Sequence, residues 1–338
     1  MGVREDILKI FESGRGEYFS GELLAERLGV SRAAVWKAVK QLQEEGYHFD
    51  AVSGKGYSLR LESDVISAEG IRKILGESAD RFRISTFKTV TSTNTLLKEM
   101  AAEGAAEGTV VIAAEQTAGK GRMSRRFVSP AGTGLYISLL LRPALNARES
   151  LFITTAAAVA VARTVEEVSG RRAGIKWVND VYMDGKKICG ILTEASFDME
   201  SGGLEYAVCG IGVNIFPPQG GFPEEIRHIA GAIFTEPSQG DVKNRIAAGI
   251  LRKFMAYYDA FPAHAFFEEY VERSIVTGQR ITVLGRGEPR EALALAIDGN
   301  CNLLVRYDDG REEALHSGEV SIRSNAMTSG FPPEKINK

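Results

Sequence analysis

Cysteine is scarce. The chain has three, Cys189, Cys209 and Cys301, far apart and never in a C-x-x-C pair. An odd, dispersed set excludes a disulfide framework and a zinc site, and fits buried reduced thiols. The four histidines (His48, His228, His264, His316) are equally scattered, so neither a histidine metal cluster nor a nucleophile–histidine motif is visible. No window approaches the roughly 18 apolar residues of a membrane span. The opening Met1-Gly-Val-Arg-Glu-Asp6 has no apolar signal core, so a cytosolic protein with no membrane partner is expected. Net charge is only −3 over 338 residues, with 25% charged and 44% hydrophobic, which means that any basic surface must be local. Two nucleotide signatures are missing as well. Gly119 to Arg125 lacks the spacing of a P-loop, and no Rossmann fingerprint occurs.

What the chain does have is Ala114 to Pro130, a loop between two apolar runs, Thr109 to Ala113 and Leu135 to Leu141. It carries four cations, Lys120, Arg122, Arg125 and Arg126, interleaved with Gly119 and Gly121. Glycine lets the backbone approach closely, so N–H groups and cationic side chains can wrap an anion together. That is the chemistry of holding phosphate; a solvated basic loop between two strands is the alternative, and the rest of the chain decides between them.

The N-terminal segment reads as a helix-turn-helix. Ile7, Leu8, Ile10 and Phe11 form a helical stripe, Ser20 caps a second helix, and Ser31 caps a third in which Val35, Val39 and Leu42 face inward. Arg32, Lys37 and Lys40 point elsewhere, with no acid until Glu44. Two short β-type runs then flank Gly54-Lys55-Gly56, which is the pattern of a wing. Through Glu62 nine cations face ten acids, but phosphate contacts need a charged face and not a charged domain. Arg32, Lys37, Lys40 and Lys55 are the expected DNA contacts.

Leu61 to Asp64 is a polar linker and Ser67 a further cap. A strand over Phe82 to Phe87 precedes Thr91-Ser-Thr-Asn94, which sits at the start of a helix over Thr95 to Ala102. Beyond the cationic loop come a buried strand (Leu135 to Leu141), a helix (Glu149 to Val168), and a hairpin from Gly174 to Glu194 turning at Asp184-Gly185. The hairpin bears Lys176, Asn179, Asp180 and Lys187, while Lys186 reads as a solvated face. Tyr206 to Val213 is a strand ending at Asn214; a Gly/Pro-rich loop follows with a short helical piece near Glu224 to Ala230, then a helix over Asp241 to Phe261. Short strands from Arg280 to Arg323 suggest a small β-barrel, and Asn325 to Lys338 a poorly ordered tail.

The cations Lys120, Arg122, Arg125, Arg126, Lys176 and Lys187 suit a reaction in which one anion attacks another, such as a carboxylate on the α-phosphate of ATP. Preorganised positive charge at the developing phosphorane is commonly the largest catalytic effect, on the order of 3 kcal/mol per donor. Asp180 would assist through Mg²⁺.

Ser31-Arg-Ala-Ala34, Gly54-Lys-Gly-Tyr57, Ser92-Thr-Asn94, Gly119-Lys-Gly-Arg122, Lys176-Trp-Val-Asn-Asp180, Gly185-Lys-Lys-Ile188 and Gly210-Ile-Gly-Val-Asn214 together resemble the bifunctional bacterial biotin protein ligases that double as biotin operon repressors. The resemblance implies an α+β fold: a winged helix-turn-helix over 1–64, a biotin/lipoyl-ligase-like catalytic domain with a mixed sheet over 65–274, an SH3-like barrel over 275–325, and a tail over 326–338. It implies that Ser92, Thr93, Asn94 and Gln116 grip the biotin ureido group, that Lys120, Gly121 and Arg122 hold the biotin carboxylate and α-phosphate, and that Lys187 neutralises charge during adenylation and transfer. Gly119, Arg125, Phe127, Lys176, Asn179, Asp180, Asn214 and Arg323 would serve the nucleotide. ATP and biotin would be substrates with Mg²⁺, and the partners would be a biotin carboxyl carrier protein, operator DNA and, on adenylate binding, a second copy of the chain.

Four positions depart from the family pattern: Lys120 stands for Arg, Ser124 for Gly, Phe127 for Trp, and Val178 for Pro. Lysine lacks the bidentate fork of arginine, so a looser grip on the adenylate is expected. Two other readings remain open on sequence grounds, a lipoate ligase of the same chemistry and a metabolite-sensing transcription factor without catalysis.

Overall fold

The computed structural model describes residues 2–146, 149–197, 203–236, 240–284 and 288–322. Arg323 and the tail lie outside them. Of the first three helices, α1 (Val3–Ser13), α2 (Gly21–Leu28) and α3 (Arg32–Glu44), the second and third start where hydroxyls stand: Ser20 Oγ accepts from Leu23 N at 3.0 Å and Ser31 Oγ from Ala34 N at 3.1 Å. Gly29, at φ 65°, ends α2 in the left-handed region. Strands β1 (Phe49–Val52) and β2 (Gly56–Leu59) pair antiparallel as the wing. Phe19 and Tyr57 exchange two backbone hydrogen bonds of 2.9 Å, tying the wing to the loop before α2. Ile7, Leu8, Phe11, Leu24, Val35, Leu42 and Leu59 close a core of their own.

The central unit runs α4 (Ala68–Leu75), β3 (Arg83–Phe87), α5 (Thr93–Ala102), β4 (Thr109–Ala113), β5 (Gly134–Leu141), α6 (Leu151–Ser169), β6 (Gly174–Lys176), β7 (Asp180–Met183), β8 (Lys186–Phe197), β9 (Leu204–Asn214), α7 (Val242–Asp259) and α8 (Phe267–Glu272). Its seven strands lie in the order β3-β4-β5-β9-β8-β7-β6, with β3 and β4 parallel and the other neighbours antiparallel. The sheet is therefore mixed. Because side chains alternate across a strand, Val110, Ile112, Leu135, Ile137 and Leu139 enter the large core with α6 and α7, while Val111, Leu140 and Val208 meet Leu97 and Ala101 of α5 on the opposite face. That second face carries the site.

The last strands, β10 (Arg280–Leu284), β11 (Arg290–Ile297), β12 (Leu303–Tyr307), β13 (Glu312–Leu315) and β14 (Glu319–Ile322), form an antiparallel sheet in the order β13-β12-β11-β10-β14. Among the described residues it is open, with β13 and β14 as edges, and the expected barrel closure is absent. Its apolar face joins the large core, and Trp177 Nε1 donates to Cys301 O at 2.9 Å. All three cysteines are buried and free. No helix among the described residues is long and apolar enough to cross a membrane.

Some local expectations change. Residues 224–230 form turns, closed by Ile226 N→Pro223 O at 3.0 Å and Ala230 N→Ile226 O at 2.7 Å, and not a helix. The expected hairpin over 174–194 is three strands, because Trp177 to Asn179 makes a turn of its own. Helix α8 and strand β13 carried no clear periodicity and were not anticipated.

A buried polar hub joins the winged helix to the central unit. Arg15 reaches Glu12 (2.7 Å), Ser63 O (2.7 Å) and Asp241 (3.3 Å), and Ser67 Oγ donates to Glu12 at 3.3 Å. Asn244, fully buried, accepts from Ser67 N and donates to Val65 O and Asp241. Burial pushes the Asp241 carboxyl up to about 6 despite Arg15 beside it.

Candidate active site

The floor of the site is backbone. On the α5 face of the sheet, positions 190, 210 and 212 are glycine, and a Cβ at Gly210 would stand 2.2 Å from Asn94 Oδ1, one at Gly212 2.5 Å from the Phe127 ring. Only glycine admits those neighbours. The trough is the start of a cavity of about 250 Å³ lined from one end by Ser92, Thr93, Asn94 and Gln116 and from the other by Arg122, Lys176, Asn179, Asp180 and Lys187.

At the first end the helix start brings the polar groups together. Ser92 caps α5 by accepting from Thr95 N at 3.5 Å, and Thr93 and Asn94 occupy the first turn. Thr93 donates to Gln116 Oε1 through its N–H (2.8 Å) and hydroxyl (3.1 Å), and Gln116 Nε2 donates to Ser129 Oγ at 3.0 Å. Ser138, fully buried on β5, donates its one hydrogen to Asn94 Oδ1 (2.6 Å), with Thr93 Oγ1 2.8 Å away. Ser138 and Ser129 were not anticipated; a lone hydroxyl inside the apolar run Leu135 to Leu141 was the available signal.

The cationic loop folds into a small hairpin over the trough. Gly121 N donates to Arg125 O at 2.7 Å and Phe127 N to Gly119 O at 2.9 Å, so Lys120 and Arg126 pair across it. Met123 and Ser124 at the tip hold φ of 54° and 59°. Arg122 points inward, donating to Asn179 Oδ1 at 2.9 Å, and burial lowers its pKa below the ordinary guanidinium range, partly opposed by Asp180. Arg125 instead pairs with Glu319 of β14 at 2.6 Å, Arg126 donates to Thr117 O at 3.2 Å, and Lys120 is exposed at the cavity mouth. The Phe127 ring lies on the glycine floor, edge-on to Tyr136 at 6.4 Å.

At the far end Lys187 Nζ lies 2.6 Å from Asp180 Oδ1, an ion pair without hydrogen-bond alignment, so that buried oxygen retains unused acceptor capacity. Burial lowers the Lys176 pKa, and its ammonium sits 5.8 Å from the Tyr182 ring centre. The Trp177–Val178 peptide is cis. Asn214 donates to Gly231 O at 3.0 Å, holding a loop whose Phe222, Ile226, Ile229 and Ala230 also line the cavity. Those four apolar residues escaped sequence reasoning, as did Glu319. Lys186 is not simply solvated, since its ammonium donates to Arg227 O (3.2 Å) and His228 O (2.8 Å) of that loop.

On the winged helix Arg32, Lys37, Lys40 and Lys55 are all exposed. Lys40 lies over Trp36 at 5.3 Å and Lys55 over Tyr18 at 5.8 Å. Among the described residues no three histidine, cysteine, aspartate or glutamate side chains gather to hold a metal.

A glycine-floored mixed sheet roofed by a cationic hairpin is the build of a carboxylate-activating ligase, and the matching family models agree. The Biotin/lipoate A/B protein ligase family matches residues 86–214, an HTH domain 3–58, and the Biotin protein ligase C terminal domain 276–323. The bifunctional ligase/repressor BirA of Bacillus subtilis is 33% identical over 95% of this chain and 98% of its own length. Its Escherichia coli counterpart is 28% identical over 91% of this chain and 94% of its own. Among solved structures, the biotin protein ligase from Aquifex aeolicus in complex with biotin and ATP superposes with a TM-score of 0.60 at 27% identity, covering 71% of this chain and 98% of that one. The chain belongs to the family of bifunctional biotin ligase/repressors.

Proposed function

We infer that the protein activates biotin with ATP to biotinyl-5′-adenylate and passes the biotinyl group to a lysine of a biotin carboxyl carrier protein, while its winged helix represses biotin-synthesis genes. The observation that carries this reading is one cavity with buried amides and hydroxyls at one end and half-buried cations at the other. A ureido group offers two N–H donors and one carbonyl acceptor, which suits Ser92, Thr93, Asn94 and Gln116. The dithiolane of lipoate offers neither.

With the ureido ring at the α5 end, the biotin carboxylate lies under the hairpin. Its oxygen attacks the α-phosphorus, an O–P bond forms, and pyrophosphate leaves with the bonding pair of the α–β bridge. Arg122, Lys120, Lys176 and Lys187 offset the repulsion between the two anions and the charge that develops on phosphorus. Arg122 and Lys176 are desolvated, so their charge acts through a low dielectric. In the second step the carrier lysine amine attacks the anhydride carbonyl and AMP departs, with no covalent enzyme intermediate. Asp180 would be the carboxylate that holds a Mg²⁺ bound to the ATP phosphates, exchanging its contact with Lys187 for the cation, which would neutralise phosphate charge. The apolar loop bearing Phe222, Ile226 and Ile229 offers a surface for adenine, and Arg125, Phe127, Asn179 and Asn214 line or brace the same end, whereas a Cβ at Gly119 would meet Ser129 and Gln116 at the α5 end.

Closure of the hairpin over the adenylate would favour a homodimer, setting two winged helices on a palindromic operator. The five antiparallel strands of the open C-terminal sheet suit a partly open, SH3-like arrangement. Incubation with biotin, ATP, Mg²⁺ and a carrier domain tests the transfer: a single biotinyl mass increment on the carrier lysine supports it, and an unmodified carrier rejects it. Size-exclusion chromatography with and without biotin plus ATP tests the dimer.

A further inference from the structure

The orientation of the Asn94 amide has a cause in its neighbours. Asparagine is a donor at one end and an acceptor at the other, and its two orientations have nearly the same shape. Here Nδ2 donates to Leu192 O at 3.2 Å and to Glu194 Oε2 at 2.9 Å, which uses both of its hydrogens. Oδ1 accepts from Ser138 at 2.6 Å and keeps a second lone pair. Glu194 is in turn held by Lys98, an ion pair reaching from α5 to β8. Burial works against the Glu194 charge, but Lys98 and Asn94 outweigh it and hold the carboxyl below its ordinary range. An ionised carboxylate only accepts. The amide nitrogen must therefore face Glu194, the nearer of its two acceptors, with the acceptor-only Leu192 O on the same side, and the remaining capacity of Asn94 is that of an acceptor.

We propose that Glu194 is a positioning residue that fixes the polarity of Asn94, so that the cavity meets its ligand with an acceptor at Asn94 and a donor at Gln116. Gln116 is set by the same logic. Its Oε1 is taken by the backbone N–H of Thr93, which only donates, so Nε2 has one hydrogen on Ser129 and one left over. An acceptor beside a donor complements the N–H and C=O of a cyclic urea, and mismatches an acid lacking them. The proposal rests on the biotin reading above. Glu194 itself touches neither substrate.

The test is Glu194→Gln, which keeps the shape while allowing its amide to donate to Asn94 and turn it round. In biotin-dependent ATP–pyrophosphate exchange the KM for biotin rises about tenfold, in line with one buried hydrogen bond turned from match to mismatch, while kcat and the KM for ATP stay within about twofold. The swap Asn94→Asp with Glu194→Gln restores an acceptor at position 94 and recovers most of the loss, whereas Asn94→Asp in the parent sets two carboxylates together and does not. Should Glu194→Gln fail to fold, Lys98→Met, which frees Glu194, raises the KM for biotin about threefold. Asn94→Ala separates the two ideas. If it raises the KM for biotin and neither Glu194→Gln nor Lys98→Met does, the polarity argument is overturned and the biotin subsite stands; if Asn94→Ala also leaves it unchanged, the subsite itself is misread and the proposal falls with it.

Discussion

Arg125 Nη1 lies 2.6 Å from Glu319 Oε1, joining the roof of the site to the C-terminal sheet across 194 positions of sequence. The pair is largely exposed, and exposed pairs contribute about 0.2–1 kcal/mol. Glu319→Gln should therefore speed trypsin cleavage of the hairpin at Arg122, Arg125 or Arg126 about two- to fivefold in the ligand-free protein. An unchanged cleavage rate means that the sheet does not latch the roof.

Ser124 holds φ at 59°, in the region where a Cβ is costly. Ser124→Gly relieves on the order of 1 kcal/mol in the closed hairpin, so the dissociation of biotinyl-adenylate should slow about fivefold. Ser124→Val should hasten it. Rapid-dilution release of labelled adenylate measures both.

The lysine at position 120 acts in the same direction. Lys120→Arg offers the phosphate a bidentate fork, and adenylate release should slow in the same assay. A rate indistinguishable from the parent removes Lys120 from the account of retention.

The hub between the winged helix and the central unit makes stability depend on pH. Asp241 titrates near 6 in the folded protein against an ordinary value of 3.8, so between those values the folded state holds more protons than the unfolded one. This group therefore favours folding at low pH, and that contribution is lost as pH rises towards about 6. Asp241→Asn removes the dependence: relative to the parent it should gain on the order of 1–3 kcal/mol on going from pH 4 to pH 7. Urea denaturation at both pH values measures the difference, and an equal effect at each contradicts the assignment.

Arg32, Lys37, Lys40 and Lys55 are exposed on α3 and the wing tip. Each alanine substitution should lower DNA affinity and reduce the slope of log K against log salt by about 0.9 if that cation meets a phosphate. A slope unaltered in all four variants removes this face from the DNA contact.

Much of the architecture is legible because its causes are local. Ser20, Ser31, Ser67 and Ser92 cap helices through bonds spanning three residues, so a hydroxyl ahead of an apolar stripe marks each start. The apolar runs of β4 and β5 and the glycine-cation loop between them are likewise contiguous. What escaped depends on distance. Glu319, Phe222 and Ile226 come to the cavity from remote segments with no pattern of their own. Whether five strands close into a barrel is decided by pairing between the two edge strands, β13 and β14, which no strand encodes. Residues 224–230 show the limit of periodicity: Ile226 and Ile229 are spaced as on a helix, yet the segment only turns, pinned by Lys186 and Asn214 from outside. Lys186 was misjudged for the same reason, since its partners lie about forty residues away.

The central claim is that cations gathered under the hairpin and at Lys187 join a biotin carboxylate to the α-phosphate. ATP–pyrophosphate exchange with Lys187→Met and Arg122→Ala tests it most directly. The account predicts exchange that needs biotin, is not supported by lipoate, and falls 10²–10³-fold in each variant, about 3–4 kcal/mol of lost transition-state stabilisation. Exchange supported equally by lipoate, or undiminished in both variants, would contradict it.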